Sequence, residues 1–189
     1  LSPELSLVAA VDTAPELAGK PLSDLIAKAP KGLRVESSLA PVLKNLRGGV
    51  LLHATGERFE KALPQFEAAA RAGVHVVSTC QELAFPWLHH EKKADALGAL
   101  ASEHGAVVLG TGANPGFVLD RLISTAGAVC GPVARVKAER FVDAGAQRES
   151  VRHMVGLGLT PEELEQRADT GEVGHVGLLE SATLAALGL

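Results

Sequence analysis

The run Gly49-Val50-Leu51-Leu52-His53-Ala54 ends in Thr55-Gly56. A helical stretch follows from about Phe59 to Ala72, and Gly73 leads into Val74-His75-Val76-Val77 and then Ser78-Thr79-Cys80. Both apolar runs are near-continuous rather than alternating, the pattern of strands buried on two faces. Between them Phe59, Leu63, Phe66 and Ala70 recur at helical spacing, and Gly73 supplies the stop. Pro64 lies inside that stretch, so the regular helix is expected to begin there, with Pro in its first turn. Strand, helix and strand in this order predict parallel strands joined by a crossover.

The same rhythm extends in both directions. Upstream, Val8–Val11 reads as a strand ending at Asp12, with a helical turn around Leu22–Ala27, a short strand at Arg34-Val35 and a short helix over Pro41–Leu46. Downstream, residues 90–104 are amphipathic, Gly105 stops them, and Ala106–Leu109 is a strand running into Gly110-Thr111-Gly112. Asn114 is expected to cap a helix with Pro115 at its first position and Phe117, Leu122, Ile123 and Ala126 facing in. This predicts an α/β chain with a doubly wound parallel sheet covered by helices on both faces. After Gly131-Pro132 the pattern changes. Val133–Val142 alternates, as in an antiparallel-style strand with one polar face. A boundary near residue 130 divides the chain into 1–130 and 131–189. The tail holds a helix opened by Thr160-Pro161-Glu162-Glu163 and an apolar helix over Leu178–Leu189.

Composition narrows the classes. The 189 residues are 47% hydrophobic and 21% charged, which excludes a disordered chain. No apolar run reaches the roughly 18–20 residues of a spanning helix, so no membrane role is expected. A net charge of -4 gives no basic field for nucleic acid. Cys80 and Cys130 show no CxxC spacing, so neither a disulfide framework nor a metal site is expected, and a reducing cytoplasm is the natural compartment. The chain starts at Leu1, almost on its first strand, and ends on an apolar helix, so it reads as a fragment of a longer protein.

Ligands of open parallel sheets bind at the carboxyl ends of the strands. Asp12, Thr55-Gly56, Thr79-Cys80 and Gly110 to Gly116 occupy those ends. An acid at the end of the second strand of a dinucleotide fold accepts hydrogen bonds from the adenosine ribose and repels a 2′-phosphate, so Asp12 favours NAD over NADP. The glycine fingerprint belongs about 20 residues earlier. Only eleven residues precede Asp12, so the first strand and its fingerprint are expected to be missing. A plain turn Asp capping residues 13–16 would look the same. The segment Gly110-Thr111-Gly112-Ala113-Asn114-Pro115-Gly116-Phe117 suits either a tight capped turn or a floor for nicotinamide or a carboxylate.

Two stretches carry a family resemblance: Ser78-Thr79-Cys80-Gln81-Glu82-Leu83-Ala84-Phe85-Pro86, and Gly110 to Phe117 continued by Val118-Leu119-Asp120. Together they resemble the 2,4-diaminopentanoate dehydrogenase-like family of the dihydrodipicolinate reductase-like NAD(P)-dependent oxidoreductases. The resemblance runs from Leu5 to Leu189. It implies a Rossmann-type domain lacking its first strand, followed by the start of an α/β substrate and oligomerisation domain. It implies NAD, with NADP as the alternative, and hydride transfer between nicotinamide and the amine- or imine-bearing carbon of an amino acid or diamino acid. Carried over by position, Asp12 holds the adenosine ribose, Thr55 and Gly56 line the crevice near ribose and nicotinamide, and Thr79 and Cys80 lie beside the ring. Asn114 and Gly116 form the loop under ring and substrate, with Phe117 packed beneath.

The catalytic region by position is Gln147 to Thr160. The resemblance implies a Lys before its Gly-x-Gly turn. Met154 stands there with His153 beside it, which keeps open a catalytically inactive nucleotide-binding or interaction module on the same fold. The catalytic candidates are His153, Arg148 and Arg152. Arg suits a carboxylate fork and His a proton shuttle near neutrality. A solvated basic face is the plainer reading of both arginines. His175 is a weaker candidate, and His89-His90 reads as a polar helix start. The expected partners are an amino-acid substrate and, through the strand at 133–142, further copies of the chain.

Overall fold

The computed structural model describes residues 4–46, 48–147 and 149–189. In chain order the elements are β1 (Ala10–Val11), α1 (Leu22–Leu25), β2 (Val35–Glu36), α2 (Leu39–Asn45), β3 (Val50–His53), α3 (Phe59–Arg71) and β4 (His75–Ser78). A 3-10 turn at Glu82–Ala84 follows, then α4 (Trp87–Glu103), β5 (Val108–Gly110), α5 (Arg121–Gly127), α6 (Glu149–Met154), α7 (Pro161–Asp169) and α8 (Leu178–Leu187). Two compact units emerge. One holds the residues through Leu51 with Leu63–Val76 and Ala96–Val108; the other holds Leu52–Ala62, Val77–Asp95 and Leu109–Leu189.

The strands form a two-stranded sheet, β1-β2, and a three-stranded sheet, β3-β4-β5. The first is parallel, with Ala10 opposite Val35 and Val11 opposite Glu36. In the second, His75 N–H donates to Gly49 O and Thr79 N–H to His53 O. Val76 N–H donates to Val107 O and Thr111 N–H to Ser78 O. Partners advance together along both strands of each pair, so these pairings are parallel too.

Helix α3 buries Phe59, Ala62, Phe66, Ala69 and Ala70, a face at three- and four-residue spacing. It runs unbroken from Phe59 with Pro64 inside it, so the expectation of a start at Pro64 is corrected. Pro64 forgoes one backbone bond, while burial of Phe59 and Phe66 holds the turns on either side of it.

Helices α3 and α4 end alike. Gly73 has φ 67° and Gly105 φ 65°. Gly73 N–H donates to Ala70 O and Val74 N–H to Ala69 O; Gly105 N–H donates to Ser102 O and Ala106 N–H to Ala101 O. This pair of bonds, with glycine in the left-handed region, terminates each helix and turns the chain into the next strand. Ala101 and Ala106 then meet Ala70 in a small core, against which Leu100 and Val108 pack.

Three further expectations are corrected. Among the described residues one face of the three-stranded sheet is left largely open: Val50, Leu52 and Leu109 on it are 51%, 71% and 49% exposed. The segment 133–142 forms no strand and is exposed throughout, so its alternating pattern is not matched by a pairing with any described strand. The helix after β5 begins at Arg121, not at Asn114, with Asp120 as its N-cap.

Candidate functional site

The carboxyl ends of β3, β4 and β5 lie in the second unit. Thr55 and Thr79 are exposed there, and Gly56 is half-buried with open space around its α-carbon.

The loop from Gly56 to Arg58 is fastened from below by the segment after β4. Glu82 is 7% exposed. Its Oε1 accepts from Arg58 Nη1 at 2.9 Å and its Oε2 from Phe59 N–H at 2.7 Å. The carboxylate thus caps α3 and supplies the negative charge that a helix N-terminus favours. His90, at a non-helical kink in α4, stacks on Phe59 at 5.5 Å, with Nε2 3.6 Å from Glu82 Oε2. The Cys80 thiol is buried and donates to Glu57 O at 3.4 Å. Burial pushes it from its usual 9.0 to about 11. Its sulfur therefore faces the interior as an inert thiol, and Cys80 reaches the crevice through its backbone alone.

A second set of bonds ties β3 to β4. His53 Nδ1 lies 2.8 Å from Ser78 Oγ, His53 Nε2 lies 2.9 Å from Thr55 Oγ1, and Ser78 Oγ accepts from Cys80 N–H at 2.9 Å. His53 and Ser78 are buried.

The loop after β5 folds on itself around a buried acid. Asp120 is 1% exposed and accepts from Gly116 N–H at 2.7 Å, Arg121 N–H at 2.6 Å and Ser181 Oγ at 3.2 Å. Three donors satisfy a carboxyl that would otherwise be costly to bury. Gly116 has φ 121°, and a Cβ there would meet Gly112 N at 2.4 Å. A Cβ at Gly110 would meet Leu83 C and O at 2.4 Å, so this loop closes only with glycine at both places. Asn114 Oδ1 accepts from Leu119 N–H at 3.2 Å, and Ser181 Oγ lies 3.3 Å away. The backbone donor fixes which way the amide faces. Its Nδ2 is buried with no hydrogen-bond partner among the described residues. Gly177 presses on the same loop: a Cβ there would lie 2.7 Å from Pro115 and 2.9 Å from Gln81 Cβ.

The structure therefore brings Thr79, Cys80, Asn114 and Gly116 to adjoining segments of one unit, with Thr55 and Gly56 joined to them through His53, Ser78 and Cys80. Asp12 belongs to the first unit. It stands at the end of β1, half-buried, and its Oδ1 accepts from Ala14 N–H at 2.9 Å, the bond of a turn Asp. Arg152 and His153 are exposed on α6, with His153 Nε2 3.9 Å from Glu149 Oε1. Arg148 lies outside the described residues. Phe117, expected beneath the loop, is 55% exposed. His175 donates from Nδ1 to Val176 O at 2.5 Å. His89, expected as a plain polar helix start, faces the buried Glu180 at 3.9 Å.

Sequence reasoning passed over Glu82, Ser78, Asp120 and Ser181 as working residues. Their partners lie 23, 25 and 61 residues away, beyond any local pattern. Asp120 alone carried a signal, as an acid placed to cap the helix that follows.

Known proteins supply the context. Residues 117–189 match the model of the 2,4-diaminopentanoate dehydrogenase C-terminal domain. The chain is 29% identical over 161 residues to 2,4-diaminopentanoate dehydrogenase of Acetoanaerobium sticklandii, covering 83% of this chain and 46% of that protein. The amine dehydrogenase from Mycobacterium smegmatis superposes with a TM-score of 0.73 at 22% identity, over 95% of this chain and 54% of that one, a likeness of fold. The chain spans about half the length of these relatives. Residues 117–189 thus match the 2,4-diaminopentanoate dehydrogenase C-terminal domain, and over 161 residues the chain is similar to 2,4-diaminopentanoate dehydrogenase itself.

Proposed function

We propose that this chain is part of an NAD(P)-dependent oxidoreductase that moves hydride between nicotinamide and the amine- or imine-bearing carbon of an amino acid or diamino acid. The observation that carries this is the orphaned Nδ2 of Asn114, held in the glycine loop after β5 beside the strand ends. A buried donor without a partner is costly, and a ligand oxygen would satisfy it. The exposed hydroxyls of Thr55 and Thr79 add two more polar groups at the same ends. That set fits a group rich in hydroxyl and carboxamide oxygens, as a nicotinamide riboside is.

Strand order supports the same reading. A Rossmann sheet has the order 3-2-1-4-5-6. The pairings β1-β2 and β3-β4-β5 are every pairing of that order that does not involve strand 1. With Asp12 taken as the ribose acceptor, NAD is the preferred cofactor. When bound, the nicotinamide supplies or accepts the hydride. The chain's own residues orient it: Asn114 and Thr55 by donating to oxygens, and Gly112 and Gly116 by letting the backbone approach. Arg148, Arg152 and His153 are the groups proposed to bind the substrate carboxylate and carry its proton. The enzyme would work as a homo-oligomer in the cytoplasm. Among the described residues no helix is long and apolar enough to cross a membrane.

The test is titration of the full-length protein with NADH and NADPH, followed by NADH production from NAD with 2,4-diaminopentanoate and other amino acids. Binding of NADH and amine-dependent turnover are expected. Replacing Asp12→Ser should shift the preference toward NADP by about tenfold. Absence of binding to either nucleotide overturns the proposal. Binding without turnover leaves a nucleotide-binding module.

A further inference from the structure

The bonds around His53 have a direction. Ser78 Oγ accepts from Cys80 N–H, and its single hydroxyl proton faces no acceptor other than His53 Nδ1 among the described residues. Ser78 is 1% exposed, so leaving that proton unpaired would be costly. His53 Nδ1 is therefore the acceptor, and the neutral ring carries its proton on Nε2. Nε2–H donates to Thr55 Oγ1 at 2.9 Å. The Thr55 hydroxyl already receives one hydrogen bond there, and its own proton turns away from the imidazole, outward from an exposed residue at the end of β3. The opposite tautomer would make Thr55 donate inward and strand the Ser78 proton.

We infer that His53 is a positioning residue that sets the Thr55 hydroxyl as a hydrogen-bond donor, so that the group bound at the end of β3 is an oxygen acceptor. This rests on the dinucleotide reading above and narrows it. A ribose hydroxyl or carboxamide oxygen can receive the Thr55 proton; the ammonium of an amine substrate, which has no lone pair, cannot, and would be left with only the second lone pair of Oγ1.

The test combines binding with a tautomer measurement on the full-length protein. Thr55→Val is expected to raise the NADH Kd about five- to tenfold, the size of one hydrogen bond. His53→Leu should raise it equally, and the double variant no further, because both remove the same contact. His53→Gln, which keeps an N–H near the place of Nε2, should recover most of the affinity. Nitrogen NMR of the histidine-labelled protein should find Nε2 protonated and Nδ1 bare. Effects of His53→Leu and Thr55→Val that add, or a ring protonated on Nδ1, overturn the inference. If His53→Leu does not fold, His53→Gln and the NMR decide. Failure of the unaltered protein to bind nucleotide overturns the dinucleotide reading and the ligand named here. The ring tautomer then shows separately whether the relay exists.

Discussion

Cys80 and Cys130 are chemically distinct thiols in one chain. Cys80 is buried, bonded to Glu57 O and raised to about 11, whereas Cys130 is exposed. A thiol reagent at pH 8 should label one cysteine per native chain and two after unfolding. Rapid labelling of both in the native state would contradict the placement of Cys80. The sign of the pH effect follows. Between 9 and about 11 the unfolded thiol has lost its proton while the folded one keeps it, so stability falls as pH rises through that window. Cys80→Ala should flatten the fall. Asp120 is a buried acid whose carboxyl takes donors from Gly116, Arg121 and Ser181. Asp120→Ala should cost about 1–3 kcal/mol in urea unfolding, the penalty of leaving buried donors without their acceptor. A cost near zero would mean that the loop closes without it.

Elements differ in how far they could be read in advance. Helix α7 was legible to the residue: Thr160 accepts from Glu163 N–H, and the Glu163 side chain accepts from Thr160 N–H, all within four positions. The strands β3 and β4 were legible because their apolar runs are continuous. Helix α5 was not, because Asn114-Pro115 offers a competing start, and the bond that holds Asp120 comes from Ser181, 61 residues away. The alternation at 133–142 described a strand correctly in pattern, but a strand also needs a neighbour, and pattern cannot provide one. The strand-end segments of the site were likewise visible as polar breaks, while the residues that fasten them were not. Two substitutions separate local from tertiary stabilisation. Thr160→Ala should cost about 1 kcal/mol and affect mainly α7. Phe66→Ala, in a side chain with 0% exposure, should cost about 3–5 kcal/mol and lower the whole transition. Equal costs would place α7 in the same cooperative unit as α3.

For the molecule as a whole, the bare face of the three-stranded sheet is the dominant feature. Val50, Leu52 and Leu109 form an apolar surface on strands that read as buried on both sides. The chain by itself should bind the dye ANS, and Val50→Ser with Leu52→Ser should reduce that binding while changing stability by no more than about 0.5 kcal/mol each. In a longer polypeptide that covers this face, the same changes should cost about 1.5–3 kcal/mol per side chain. Unchanged ANS fluorescence in the double variant would show that the dye binds elsewhere.

Glu82 gives α3 a resident anion. The positive end of that helix, in most α/β proteins a place where a phosphate can be seated, is here neutralised by a carboxylate of the same chain. Inorganic phosphate or sulfate in a buffer thus meets a seat already taken, and neither ion should compete with ligands at the strand ends. Any affinity for anions must be built elsewhere, at another helix start or on basic side chains, which leaves the crevice beside β3 to ligands recognised by their hydroxyl and amide groups instead of by their charge.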